Sequence, residues 1–434
     1  MIEGISYLCS EIAEAVNGKM KGNDEKIEAI TLNSKEISQA PSCFFAINGK
    51  NINGAEYINE AISNGAKLII TQEQIDCAVT VIYVDNVVMA LGLLAKKHKG
   101  NTKIIAITGS NGKSTTKDMV ISVLKTKYSV CGTYKNNNNE IGVALTLLSI
   151  KNEDFCVVEM GMRALGEIEW LSYIAEPGIG IITNCLSAHL GKLGSRKNIF
   201  KAKTELLKYV KEYSILPNEI RFKRIKGLRS KKLYTDLKIR NIRRQDGSII
   251  FDVYDCKDIK IKSIYNHDIL NAVFAYMVGK LVGLDDYSIK KGLNDFKKEN
   301  SRGEILKSKR FLIINDCYNA SYESMKMAII STKEQFANKK IAVLLGDMLE
   351  LGNKSKQLHL KIGKLCKKLK IDRLYAYGSY ARYYINGFGR GRELKNSNSI
   401  AEKILNELDE SYVLLVKASH LMNFEKIIEQ MREN

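Results

Sequence analysis

The sequence predicts an α/β protein of three domains. These are a small mixed α/β N-terminal domain (1–100), a central parallel-sheet domain built on a phosphate-binding loop (101–300), and a C-terminal Rossmann-like α/β domain (301–434). Three observations lead there. Apolar β-rich runs alternate with helical patterns from residue 103 onward, a glycine-rich turn joins the first such run to a helix, and a second alternation begins near 305.

In the first hundred residues CFFAI, KLIIT and VTVIYV read as strands and AEYINEAISNG as a helix. KIIAIT, FCVVEMG and IGIITN each precede a helical segment, as expected of a parallel sheet with helices on both faces. Residues 220–265 look irregular and basic, ending in SIIFDVY and IKIKSIY, which read as antiparallel strands. NHDILNAVFAYMVGKLVGL has apolar residues at helical spacing. FLIIND, IAVLLGD, RLYAYG and YVLLVKAS are the strand candidates of the last domain. A nucleotide domain with a smaller domain closing over it places the site at the carboxyl ends of these strands.

Composition narrows the function classes. Hydrophobic content of 45% and charged content of 26% are those of a soluble globular protein, and no apolar run approaches the ~20 residues that span a bilayer. The N-terminus shows no basic start followed by an apolar stretch, and the nine cysteines form no CxxC pair. A cytoplasmic setting without a metal–thiolate or disulfide framework is expected. The net charge of +19 is spread along the chain with no aromatic-interleaved basic module. It therefore reads as a solvating surface that attracts anionic nucleotides rather than as a nucleic-acid site.

The chemistry concentrates at AITGSNGKSTT (106–116). Gly109, Ser110, Asn111, Gly112, Lys113, Ser114 and Thr115 occupy a strand-to-helix turn, where free N–H groups and the helix dipole favour phosphate. Lys113 can reach the β/γ-phosphates and the Ser114 hydroxyl a Mg²⁺, although Ile107 stands where the strict P-loop has glycine. Glu159, ending FCVVEMG, suits a Mg²⁺ opposite Ser114. Asn184 and His189 follow IGIITN, and Asp316 ends FLIIND, within reach of a ribose or serving as a turn residue. Lys203 stands beside Lys201 in FKAKTELL, the ordinary setting of a solvated helix face. A buried Lys203 would instead favour a neutral amine able to add CO₂, giving a carbamate with hard oxygen ligands.

TGSNGKSTTKDM, NNNEIGVALTLL, EMGMRALGEI, NCLSAHLGKLGS followed by KAKTEL, NDCYNASYESMKMAI, LGDMLELG and LVKAS, in this order, resemble the Mur ligase family over nearly the whole chain. LGDMLELG, EMG and DCYNA point, within it, to the step that adds D-Ala-D-Ala to UDP-MurNAc-tripeptide. The resemblance implies a UDP-sugar-binding N-terminal domain, a central ATPase and a C-terminal domain for the incoming amine. ATP would phosphorylate the tripeptide carboxylate, and the dipeptide amine would attack the acyl phosphate. It assigns Lys113 to the β/γ-phosphates, Ser114 and Glu159 to one Mg²⁺, and His189 with carbamylated Lys203 to a second. Asn138 falls near the reacting phosphates, His267 and Asn271 near adenine, Arg302 at the γ-phosphate on closure, and Asp316 at the ribose. Ser34 lies in the uridine-binding part, and Asn319 and Lys417 in the C-terminal substrate motifs. A monomer without membrane or nucleic-acid partners is implied.

The chain departs from the family pattern at Asn33, Lys35, Ala55, Ala418 and His420, and Asp268 replaces the asparagine of a His-Asn pair. Lysine for arginine at 35 is not a conservative change where the family arginine makes a bidentate contact. The phosphate and metal set is intact. The alternatives are another ATP-dependent amide ligase of this superfamily, such as a folylpolyglutamate-type enzyme, or an ATP-binding protein that does not ligate.

Overall fold

The structure, a computed structural model, describes residues 1–49, 52–185, 195–217, 232–234, 237–245, 247–298, 302–349 and 351–433. The chain divides into two compact units, 1–237 with 271–292, and 238–270 with 293–434.

The first unit holds two sheets. The N-terminal one comprises β1 (Ile2–Leu8), β2 (Lys19–Lys21), β3 (Lys26–Thr31), β4 (Ser42–Phe45), β5 (Ala66–Thr71) and β6 (Thr80–Tyr83), in the order β1-β3-β4-β5-β6-β2. The inner four strands are parallel and the two edges antiparallel. AEYINEAISNG begins as a 3₁₀ turn (Gly54–Tyr57) before the short α2 (Ile58–Ser63). Helices α1 (Cys9–Val16) and α3 (Val87–His98) bury Ile12, Val16, Leu91 and Leu94 in a core that runs on into Ile104, Leu147, Cys156 and Ile174. The two sheets of this unit therefore share one hydrophobic interior.

The central sheet comprises β7 (Lys103–Thr108), β8 (Val130–Gly132), β9 (Phe155–Glu159), β10 (Ile179–Ile182), β11 (Tyr213–Ile215) and β12 (Lys232–Tyr234), all parallel, in the order β12-β11-β10-β7-β9-β8. Helix α4 (Lys113–Leu124) leaves β7 toward β8, whereas α5 (Glu140–Leu148) and α6 (Glu167–Ala175) return in the opposite direction. Right-handed crossovers then put α4 on one face and α5 and α6 on the other, and a crevice opens at the carboxyl end of β7. α7 (Arg196–Thr204) begins under a Ser195 N-cap. α8 (Asn266–Leu281) carries the boundary between the units, and α9 (Asp286–Asp295) follows it.

The second unit contains an antiparallel sheet of β13 (Ile239–Gln245), β14 (Ser248–Val253) and β15 (Cys256–Ile261). Its main sheet runs β16-β17-β21-β18-β19-β20, built from β16 (Glu304–Lys307), β17 (Leu312–Asn315), β18 (Lys340–Leu345), β19 (Arg373–Tyr377), β20 (Arg392–Leu394) and β21 (Tyr412–Lys417). The four inner strands are the apolar runs singled out in the sequence. The edges β16 (antiparallel) and β20 escape that reading because they are short and largely exposed. α10 (Tyr322–Gln335), α11 (Ser355–Lys368) and α12 (Ala381–Phe388) cover one face, and α13 (Ile400–Glu407) and α14 (Phe424–Glu433) the other. Because β21 inserts between β17 and β18, the loops after these three strands meet at one end of the sheet. Among the described residues no helix is long and apolar enough to cross a membrane.

Candidate active site

In each unit the described residues place a polar cluster at the carboxyl ends of parallel strands. In the first unit the loop after β7 is held by the strand ends beside it. Ser110 N–H donates to the Asn184 carbonyl (3.1 Å) and Asn111 N–H to Asn184 Oδ1 (3.0 Å). The Thr183 hydroxyl and Asn184 amide both donate back to the Asn111 carbonyl. A Cβ on Gly109 would lie 1.8 Å from Thr183 Oγ1, so only glycine fits there. Gly112 has φ +81 and approaches Asn271, where a Cβ would meet Oδ1 at 2.6 Å. Asn271 is buried and accepts from Thr116 Oγ1 (3.1 Å), bracing α4 behind the loop. Lys113 Nζ donates to the loop carbonyl of Gly109 at 3.1 Å. With the Ser110 and Asn111 N–H groups taken up by Asn184, the first turn of α4, its dipole and this ammonium make the loop suited to an anion.

Glu159 stands at the end of β9, one strand over, in register with Ile107. It is 1% exposed. Asn138 Nδ2 donates to Oε1 (2.8 Å) and the Thr133 hydroxyl accepts from the Glu159 N–H (2.9 Å). Oε2 is buried and accepts no hydrogen bond from the described residues. An acceptor left unpaired in this way asks for a cation. Asn138 is itself pinned, its carbonyl accepting from Gly161 N–H (2.8 Å), while Asn139 caps α5. Lys117, a residue sequence reasoning missed, is buried and donates to the Thr133 carbonyl (2.9 Å), supporting the same strand end. Its i+4 spacing from Lys113 on α4 was the available signal.

The ordinary surface reading of Lys203 is corrected by the structure: Lys201 is exposed and Lys203 is 1% exposed. α7 turns this side inward beside Ile199, Ala202 and Leu206 of the core. Burial, reinforced by the nearby Lys113 charge, lowers the Lys203 amine from 10.5 to about 7. Cys185 is a neighbour whose thiol burial pushes up to about 11. His189 lies outside the described residues. Ser34 is buried, its hydroxyl donating to Glu60 Oε2 (2.5 Å) and its carbonyl accepting from the Asn64 amide (2.8 Å).

In the second unit Asp316 follows β17 and Lys417 ends β21. The buried Lys417 ammonium donates to Asp316 Oδ2 and to the Asn319 carbonyl, both at 2.8 Å. That amine is spent within the chain, where it fixes the turn 316–320. Asn319 is exposed, its Oδ1 accepting from Ala320 N–H. The Arg302 guanidinium lies 3.8 Å above the Tyr318 ring, a cation–π contact that holds it on the same turn. After β18, the Asp347 carboxylate caps the next turn, accepting from Ser379 and Tyr380 N–H groups, while the Ser419 hydroxyl donates to its carbonyl. His359 is fully buried, accepting from Met348 N–H at Nε2 and bonding Ser355 O through Nδ1. His267 stacks on Tyr265, and Asp268 forms a buried ion pair with Lys298 (2.6 Å). Burial alone would raise the Asp268 carboxyl, but Lys298, His267 and Ser263 together lower it to about 2.

An anion-binding turn with a buried carboxylate oxygen beside it that no described residue donates to, on a parallel sheet, defines a nucleotide-dependent enzyme. Residues 107–279 match the Mur ligase middle domain and residues 301–432 the Mur ligase glutamate ligase domain. The chain belongs to the Mur ligase family. Among its relatives is the UDP-N-acetylmuramoyl-tripeptide–D-alanyl-D-alanine ligase of Bacillus subtilis, 32% identical over 99% of both chains. The crystal structure of MurF from Acinetobacter baumannii superposes with a TM-score of 0.90 at 25% identity, covering all of both chains. That of MurF ligase from Thermotoga maritima in complex with ADP gives 0.82 at 28% identity, over 93% of this chain and 97% of the other.

Proposed function

We propose that this protein is the ATP-dependent ligase that joins D-Ala-D-Ala to UDP-MurNAc-tripeptide, a step of peptidoglycan precursor synthesis. The γ-phosphoryl of ATP passes to the terminal tripeptide carboxylate. The free dipeptide amine then attacks the acyl phosphate, phosphate leaves, and UDP-MurNAc-pentapeptide and ADP are released. The observation that carries this reading is the anion-binding turn at 109–114 set beside the buried Oε2 of Glu159, to which no described residue donates, in a chain similar to such ligases over its whole length.

The chain's own residues account for binding and orientation. The loop N–H groups and Lys113 hold the β/γ-phosphates, and charge building on the transferred phosphoryl is met by donors already in place. Ser114, Glu159, His189 and a carbamylated Lys203 would hold two Mg²⁺, which when bound neutralise phosphate charge and polarise the transferring group. Mg²⁺ keeps water and phosphate ligands, so one or two protein carboxylates per ion suffice. Arg302 completes the γ-phosphate contacts on closure, Asp316 binds the ribose, and His267 and Asn271 lie toward adenine. Ser34 belongs to the uridine side, Asn138 to the reacting phosphates and Asn319 to the dipeptide side, with Lys417 serving that motif by fixing the 316–320 turn. We divide the chain near 100 and 300 into UDP-sugar, ATP and amine domains, and read the enzyme as a cytoplasmic monomer using nucleotide-linked precursors.

The test is a mass-resolved assay with ATP, Mg²⁺, D-Ala-D-Ala and UDP-MurNAc-tripeptides carrying either lysine or a diamino acid at position three. A pentapeptide product with stoichiometric ADP is expected. ATP hydrolysis independent of the amine would refute ligation.

A further inference from the structure

Tyr265 is a buried polar group in the second unit that the reaction chemistry above leaves without a role. It precedes α8, is 3% exposed, and its hydroxyl donates to Asp316 Oδ2 at 3.0 Å. Lys417 Nζ donates to that same oxygen at 2.8 Å. With both donors on Oδ2, Oδ1 is the carboxylate oxygen that receives no donor from the described chain, and the Asp316 side chain remains 13% exposed.

The ring is held from several sides. Gly303, at φ +80, lies so close that a Cβ would stand 2.2 Å from Tyr265 Cε2. The His267 ring stacks at 5.1 Å between centroids, and the Lys298 ammonium sits 4.6 Å from the Tyr265 centroid. Lys298 is fixed by Asp268, which also accepts from the Ser263 hydroxyl (2.5 Å). The departure at 268 is thereby turned into an anchor: asparagine could not pair with a buried lysine as a charge. Burial, and the Asp316 charge beside it, keep the phenol protonated well above its usual range, so it stays a donor at any working pH.

We infer that Tyr265 is a positioning residue whose hydroxyl, together with Lys417, locks the Asp316 carboxylate so that Oδ1 is the oxygen offered to the nucleotide ribose. Tyr265 thus sets the enzyme's selectivity for ribose hydroxyls. This rests on Asp316 being the ribose contact. A tyrosine that merely packs would be replaced by phenylalanine without consequence, since ring, stacking and cation–π contact all survive.

The experiment uses the full-length enzyme and the variants Tyr265→Phe and Asp316→Asn, each checked for an unchanged melting temperature. For each, kcat/KM is measured with ATP, 2′-deoxy-ATP and 3′-deoxy-ATP, along with KM for D-Ala-D-Ala. Tyr265→Phe should raise KM for ATP roughly three- to tenfold, the scale of one ordinary hydrogen bond, because the hydroxyl acts on the nucleotide only through Asp316. It should shrink the ATP-to-deoxy-ATP preference by a similar factor and leave KM for the dipeptide unchanged. Asp316→Asn should abolish the preference. A preference kept by Tyr265→Phe but lost by Asp316→Asn overturns the positioning role. A preference unaltered in Asp316→Asn overturns the ribose assignment and the inference with it. A uniform loss across all three nucleotides and the dipeptide in Tyr265→Phe would mark a general structural role for the hydroxyl and also overturn the proposal.

Discussion

Replacing Lys203 by methionine should make the metal-free protein more stable while destroying its activity. Methionine keeps the length and apolar volume of the lysine stem and removes only the buried amine. In the folded chain that amine is lowered from 10.5 to about 7, and each tenfold change in proton affinity is worth ~1.4 kcal/mol. The charged form therefore opposes folding by about 5 kcal/mol at most. Relaxation and water entry reduce this, and about 2–4 kcal/mol at neutral pH is the expected gain, or roughly 5–10 °C for a unit of this size. Between pH 7 and 10.5 the unfolded chain keeps a proton that the folded chain has released. Wild-type stability should thus rise with pH across that window, and the Lys203→Met variant should lack the rise. The assay is thermal and urea unfolding in CO₂-purged, chelator-treated buffer, repeated with bicarbonate. Bicarbonate should stabilise the wild type alone, since carbamate formation removes the ammonium. Equal melting temperatures in the purged buffer, or a destabilised variant, would refute the buried amine. Normal ligase turnover in Lys203→Met would remove the carbamate from the mechanism.

Glu159→Gln keeps the Asn138 hydrogen bond in one amide orientation but removes the charge. Turnover should fall about 10²–10³-fold, with melting temperature held within a few degrees, and near-normal turnover would exclude Glu159 from the metal site. Arg302→Ala should lower kcat about a hundredfold by steady-state kinetics while leaving KM for UDP-MurNAc-tripeptide near wild type. An unaffected kcat would sink the γ-phosphate role. Asp268→Asn should cost about 3–5 kcal/mol by leaving Lys298 buried without its carboxylate, read by urea denaturation. Because the Asp268 carboxyl is lowered from 3.8 to about 2, it contributes about 2 kcal/mol above pH 4 that disappears as pH falls through 2. That part of the acid limb should be missing in the variant.

Much of the candidate site was legible in the sequence because it is local. A glycine-rich turn between an apolar strand and a helix can be read from consecutive residues. So can an acidic residue at a strand end, as at Glu159 and Asp316. The inner strands of the second unit were visible as unbroken apolar runs for the same reason, and its edges were not, being short and solvent-facing. Lys203 was opaque. Its neighbours in sequence are those of a surface helix, and only the packing of α7 against the core turns that side inward. Asn271 reaches the loop at Gly112 from a helix more than 150 residues away. Nothing in the residues around Lys417 signals that its amine is consumed by Asp316 and Asn319.

The sequence by itself determined which groups are available: an anion-binding turn, carboxylates placed at strand ends, and the order of strands and helices from which two parallel sheets follow. Short-range sterics, hydrogen bonding and hydrophobic periodicity act between near neighbours, so these features survive reading one residue after another. The tertiary structure alone decided how each group behaves. It left Glu159 Oε2 without a donor among the described residues, lowered the proton affinity of Lys203, and supplied Lys298 to Asp268 and Tyr265 to Asp316. Those properties depend on desolvation and on charges distant in sequence but adjacent in space, and both come into being only when the chain packs.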